Sequence, residues 1–186
     1  MGQNLISETT VLEEVKKAIG QTLKIDPSTI QPDHSLMKDL GADSLDFLDI
    51  GYRLEQVFGG KMARHPVLEH VEEMFGEGTA IDENSQLTDK GVTLLKIRFG
   101  DHLPIEPGME MDAIPPLVTV RGMARAMMDI LSSLPDKCGA CGQAAWKSEN
   151  GLRTQCGSCG AEATFADGDA LIKEWLTKVQ EEKKIF

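Results

Sequence analysis

Two groups of residues in this chain have the types and spacing for chemistry. The first is Gly41-Ala42-Asp43-Ser44, running into Leu45-Asp46-Phe47-Leu48-Asp49-Ile50. It reads as a tight turn that delivers a serine to the first position of an acidic, amphipathic helix. A hydroxyl there faces solvent. The helix N-terminus behind it has partial positive charge and free N–H groups, so an anionic phosphodiester attached to that oxygen is tolerated. Gly41 lacks a Cβ and lets another group come close to the turn. Asp-Ser ahead of an apolar helical pattern is also an ordinary N-cap, and the surroundings must decide between the two. The second group is Cys138-Gly-Ala-Cys141 with Cys156-Gly-Ser-Cys159. Two residues between cysteines let both sulfurs bind one ion, and the following glycines permit the tight turn this requires.

The elements around the serine fit one design. A first helix is expected to open with a capping box at Thr10-x-x-Glu13 and to place Leu12, Val15, Ile19 and Leu23 on one face. A loop follows from Lys24 to Ala42, with turn signals at Asp26-Pro27 and Gln31-Pro32 and apolar anchors at Ile30, Leu36 and Leu40. The serine helix carries Phe47, Ile50, Leu54 and Phe58 as its inward stripe, and Gly59-Gly60 stops it.

This order of features resembles the acyl carrier proteins. The resemblance rests on the run Leu-x-x-Asp-Leu-Gly-Ala-Asp-Ser-Leu from Leu36 to Leu45 and on the helices either side, over residues 8–60. It implies that Ser44 bears 4′-phosphopantetheine, with Asp43 and Leu45 as its recognition context, and that the arm's thiol carries acyl groups as thioesters. It also implies a mainly α fold, the acyl-carrier four-helix bundle. The closing helix is expected over Thr119 to Leu131, opening Thr-Val like the family's last helix and turning Val120, Met123, Met127 and Ile130 inward.

Leu45, Leu48 and Tyr52 fall on a face of the serine helix distinct from its core stripe, rimmed by Asp39, Asp43, Asp46, Asp49 and Glu55. Exposed apolar residues rimmed by charge suggest a docking surface, although a solvated acidic face favoured by the helix dipole gives the same pattern. By resemblance, Asp46, Leu48, Asp49, Tyr52 and Glu55 meet basic patches on partner enzymes, where charge complementarity speeds encounter. The implied partners are a phosphopantetheinyl transferase and acyl-transferring or acyl-condensing enzymes of fatty acid, lipid or polyketide-type biosynthesis. A monomer is expected.

Fourteen residues separate the cysteine pairs, room for strands at Ala144–Ser148 and Leu152–Gln155 about a turn at Glu149-Asn150-Gly151. This looks like a zinc ribbon, with Cys138, Cys141, Cys156 and Cys159 filling the shell of a structural Zn2+. Disulfides or a redox dithiol compete. A cytoplasmic chain disfavours the former, and a redox centre needs only one pair. The four histidines, His34, His65, His70 and His102, show no ligand spacing and are expected to be surface or core residues.

Composition narrows the partners. The chain has 186 residues, 41% of them apolar, and a net charge of −11, which argues against nucleic acid and anionic membranes. The acidic charge is concentrated before residue 136. Four thiolates on one zinc keep the cysteine region negative, so it lacks the basic surface that phosphate contacts need. There is no apolar run of membrane-spanning length and no signal-like leader, so the cytoplasm is expected.

The expected division is a carrier domain over 1–134, with an insertion at about 60–111, then a four-cysteine ribbon-like domain with a terminal helix over 135–186. In the insertion, Pro66 opens a short helix through Val67, Val71 and Phe75, and a second helical pattern runs from Thr88 to Phe99. Met74, Met109, Met111, Met123, Met127 and Met128 could line an adaptable cavity or serve as core filler. In the terminal helix, Asp169 is expected as the cap, with Leu171, Ile172, Trp175, Leu176 and Val179 along one side. Nothing supports intrinsic catalysis: no base is tied to Ser44, and there is no phosphate-cradling glycine loop or open metal site. A zinc-dependent interaction protein on an unmodified carrier-like scaffold, or a carrier of aminoacyl units, would share much of this pattern.

Overall fold

The apolar periodicities become helices close to where they were expected. The computed structural model describes residues 5–186. Helix α1 spans Glu8–Leu23 and buries Val11, Val15, Ala18 and Ile19. Its cap is Ser7, whose hydroxyl accepts the Thr10 N–H at 3.1 Å, so the helix begins ahead of the expected Thr10 box. Asp26 then accepts the Ser28 N–H at 2.9 Å to start a short 3-10 turn at Pro27–Thr29. Ile30 and Leu36 anchor the long loop and are fully buried.

Helix α2, Ser44–Phe58, buries Ile50, Leu54 and Phe58. Gly59, at φ 82°, ends it in the left-handed region that glycine enters without strain. Helices α3, Val67–Phe75, and α4, Asp89–Phe99, form the insertion, with Thr88 capping α4 through the Gly91 N–H. Helix α5, Val120–Leu131, is capped by Thr119 and buries Val120, Met123, Met127 and Ile130. Strands β1, Trp146–Glu149, and β2, Arg153–Cys156, pair antiparallel with Trp146 opposite Cys156 and Glu149 opposite Arg153. Three residues, 150–152, join the strands; Asn150 and Gly151 have positive φ, and the turn is closed by the Leu152 N–H to the Glu149 C=O at 3.1 Å. Helix α6 spans Gly168–Lys183.

The fold is thus mainly helical, with a small hairpin that carries the cysteines. No helix among the described residues is long and apolar enough to cross a membrane.

Contacts divide the chain into two compact units: the chain up to Met62 with Val118–Gly168, and Ala63–Leu117 with Asp169–Phe186. This is not a linear division at residue 135, and each difference has a physical cause. In the first unit α1 packs on α2 and α5. The long loop is pinned to the start of α5 by Leu36 N–H to Val118 C=O at 3.1 Å and Val120 N–H to His34 C=O at 3.0 Å. The hairpin joins this unit because Arg153 Nη2 donates to the Gln56 carbonyl at 2.6 Å. That places a cation at the C-terminus of α2, where the helix dipole favours it.

In the second unit α3 and α4 bury Leu68, Val71, Leu94 and Leu95 around Leu176 and Val179 of α6. The terminal helix therefore packs on the insertion, where Leu87 and Ile105 join the same core. Arg98 lies over the Trp175 ring at 5.0 Å, and Phe75 stacks on Phe186 at 4.5 Å. Asp169 lies inside the first turn of α6 and is not its cap. The described methionines named in the sequence are divided between the two units. Met123 and Met127 are buried in the first unit, while Met74 and Met109 pack against the core of the second.

Candidate functional site

Asp43 takes the cap of α2. Its carboxylate accepts the Leu45 N–H at 2.8 Å and the Asp46 N–H at 3.0 Å, and Asp46 Oδ2 accepts the Asp43 N–H at 2.9 Å. This closed capping box leaves the Ser44 hydroxyl outside the capping network, on an exposed residue at the first helical position. The plain N-cap role open to Ser44 in the sequence thus belongs to its neighbour. Gly41 has φ 74°, and the space its Cβ would fill is open to 4 Å. A phosphodiester fits here. The oxygen is accessible, the turn is unobstructed and the helix end favours an anion.

Along the same face, Leu45 is 72%, Leu48 56% and Tyr52 60% exposed. Asp46, Asp49 and Glu55 are half-buried beside them. Asp49 is the most constrained of the acids. It accepts the Thr22 hydroxyl at 2.6 Å and Arg53 Nε at 2.8 Å. The Thr22 hydrogen bond, then that of Arg53, holds its carboxyl below the usual value of 3.8. Arg53 therefore offsets part of the acidity of this face.

The four cysteines converge. Their sulfurs all lie within 4.8 Å of one another, with Cys138 to Cys159 at 3.7 Å and Cys141 to Cys156 at 3.6 Å. An ion at about 2.3 Å from four tetrahedral sulfurs requires edges of about 3.8 Å. All four are free thiols. The two cysteine turns repeat one geometry. Cys138 N–H donates to Gln143 C=O and Gly142 N–H to Cys138 C=O; Cys156 N–H donates to Ala161 C=O and Gly160 N–H to Cys156 C=O. Gly142 and Gly160 have φ 72° and 76°, which explains the glycine after each pair.

The electrostatics are those of crowded sulfurs. Backbone N–H groups of Cys159 and Ser158 bring the Cys156 thiol down to about 6. Cys141, although helped by the backbone at Gln143, is pushed up to about 12 by the neighbouring sulfurs of Cys159, Cys156 and Cys138. A cation among them relieves that repulsion.

A second cluster was not legible in the sequence. His65, His70 and Asp169 bring ligand atoms within 4.8 Å of one another; His65 is a surface and His70 a core residue, as expected, but nothing in their spacing showed that they meet. His65 and His70 are five apart and Asp169 arrives from 99 residues beyond His70, so only the tertiary packing of α6 unites them.

The family profile described as "Phosphopantetheine attachment site" matches residues 13–72. Acyl carrier protein AcpXL of Mesorhizobium japonicum is 44% identical over 54 residues, which is 29% of this chain and 58% of that relative. AcpXL of Rhizobium meliloti is 43% identical over the same share of this chain and 57% of its own length. The chain thus spans less than two thirds of these relatives. Acyl carrier protein of Thermosynechococcus vestitus is 37% identical over 29% of this chain and 67% of that protein. No solved structure matches significantly. These relatives are carriers, not enzymes. A capped turn that presents an exposed serine, and similarity that spans the first helices and their loop, have one common source: the chain belongs to the acyl carrier protein family.

Proposed function

We propose that this chain is a specialised acyl carrier in which Ser44 bears 4′-phosphopantetheine. The observation that carries this reading is the capping box of Asp43 and Asp46, which satisfies the start of α2 without Ser44 and leaves that exposed residue outside the capping network. The prosthetic group, once attached, supplies a mobile thiol that holds an acyl unit as a thioester. The protein's own residues do the rest. The N-terminus of α2 favours the phosphodiester, Asp43 fixes the turn, and Leu45, Leu48 and Tyr52 offer apolar contact to a transferase or an acyl-handling enzyme. Asp46, Asp49 and Glu55 supply the acidic rim that steers basic partners. The cargo belongs to lipid or polyketide-type synthesis, and the cytoplasm is the compartment in which such partners act.

Cys138, Cys141, Cys156 and Cys159 hold one structural Zn2+. Four sulfurs complete its shell, so the ion stabilises the hairpin and performs no reaction. Through Arg153 the hairpin also supports the C-terminal end of α2.

Incubation with coenzyme A and a promiscuous phosphopantetheinyl transferase, followed by peptide mapping, tests the first part. One adduct on the peptide containing Ser44 is expected. An adduct elsewhere, or none on the folded chain, overturns the assignment. Metal analysis of the purified protein tests the second: one zinc is expected to be lost when Cys138 and Cys141 are both changed to serine.

A further inference from the structure

We infer that His65, His70 and Asp169 form a second divalent-metal site, separate from the cysteines, of the type that binds zinc with two imidazoles and one carboxylate.

The donors are brought together by the second unit itself. His70 lies on α3 and is 3% exposed. Its Nε2 stands 2.9 Å from Asp169 Oδ1, and His65 Nδ1 stands 3.6 Å from Asp169 Oδ2. Tetrahedral ligation by nitrogen and oxygen at about 2.0–2.1 Å requires edges of about 3.4 Å. The two edges lie on either side of that length and run to different oxygens of the one carboxylate, so an ion would be held once side-chain rotation brings both rings to one oxygen or the carboxylate spans it.

The ligands are also pre-organised. The Asp169 carboxylate accepts the Arg64 N–H at 3.2 Å on each oxygen and the His65 N–H at 3.1 Å on Oδ1. These bonds fix its plane and leave Oδ2 facing His65. On the far side of the His70 ring, Nδ1 lies 3.6 Å from Glu73 Oε2. A metal-bound histidine commonly directs its other ring N–H at a carboxylate, which sets the tautomer and raises the basicity of the ligating nitrogen. Glu73 lies on that side of the ring, just beyond hydrogen-bond distance, and Lys173 pairs with it at 2.8 Å.

Three protein ligands leave a fourth position open. The trio itself lines a cleft of about 410 Å³ together with Glu69, Glu73 and Lys173, which gives a fourth ligand such as water room to bind. An open position distinguishes this site from the closed shell of four cysteines. Without an ion the same trio is a hydrogen-bonded latch between α3, its preceding loop and α6. That is the competing account, and metal binding separates the two.

The test uses the full chain, stripped of metal and titrated with Co2+. Native mass spectra count ions and absorption reports the donors. Cobalt on the cysteines gives sulfur-to-metal charge transfer, whereas cobalt on His65, His70 and Asp169 gives only weak ligand-field bands. Two equivalents are expected, one of each kind. His65 is exposed, so His65→Ala leaves the core intact and should weaken the sulfur-free equivalent about tenfold or more, in line with the losses seen when metal sites are perturbed. The double change Cys138→Ser with Cys141→Ser should remove the other equivalent and spare this one. Absence of a sulfur-free equivalent in the unaltered chain, or its survival undiminished in His65→Ala, overturns the inference and leaves the latch alone.

Discussion

If Asp43 is the cap of α2 and Ser44 is free of that duty, neighbouring substitutions must have unequal costs. Asp43→Ala removes the acceptor for two backbone donors, the Leu45 N–H at 2.8 Å and the Asp46 N–H at 3.0 Å. It also leaves Asp46 Oδ2 to hold the chain end alone. Loss of an N-cap of this kind costs about 1–2 kcal/mol, and at roughly 4 °C per kcal/mol for a unit of this size the melting temperature should fall by about 4–8 °C. Asp43→Asn keeps an acceptor and gives up only the charge at the helix end, so its cost should be about 0.3–1 kcal/mol. Ser44→Ala removes an exposed hydroxyl outside the capping network and should stay within about 0.5 kcal/mol of the parent. Thermal melts followed by far-ultraviolet circular dichroism measure all three. A loss in Ser44→Ala as large as that in Asp43→Ala would mean that the serine hydroxyl caps the helix, and the case for its modification would lose its structural basis.

Other consequences are open to measurement. Chelation of metal should abolish amide protection at Cys138 and Cys156, whose N–H groups bond to the Gln143 and Ala161 carbonyls, and leave α1, α2 and α5 protected; hydrogen exchange unchanged in the cysteine turns would contradict a metal on the cysteines. Asp49 titrates below its ordinary value because Thr22 and Arg53 bind the charged form. Its contribution is therefore complete at neutral pH and is lost as acid protonates it below about 3.8, which a carboxyl carbon titration by NMR would register as a midpoint under that value. Gly91→Ala would drive a methyl group into the Ala80 carbonyl, so the second unit should lose about 1–3 kcal/mol, seen as a lower denaturant midpoint with loading of Ser44 retained. Leu48→Glu, on an exposed position, should slow transferase loading without moving the melting temperature, and an unchanged rate would remove Leu48 from the docking face.

Much of this was legible because it is local. Asp43-Ser44-Leu45 and the stripe of Ile50, Leu54 and Phe58 specify α2 within one stretch, and the repeated Cys-Gly-x-Cys-Gly specifies both turns of the cysteine site. The start of α1 was misplaced because Ser7 and Thr10 are both good capping residues, and only the backbone shows which oxygen receives the Thr10 N–H. The partner of α6 was not legible: a stripe such as Leu176 and Val179 shows that a helix is buried, not against what. The same gap hid His70 and Asp169, since their meeting depends on that packing. Asp169 looked like a cap because its type and position suit one, yet its carboxylate turns to Arg64, His65 and His70 instead.

The most direct test of the central claim is intact mass after incubation with coenzyme A and a phosphopantetheinyl transferase, comparing the native sequence with Ser44→Ala. A gain of one phosphopantetheine by the first and none by the second is the predicted result. A gain by both, or by neither while the chain remains folded, would contradict the assignment of Ser44 as the attachment site.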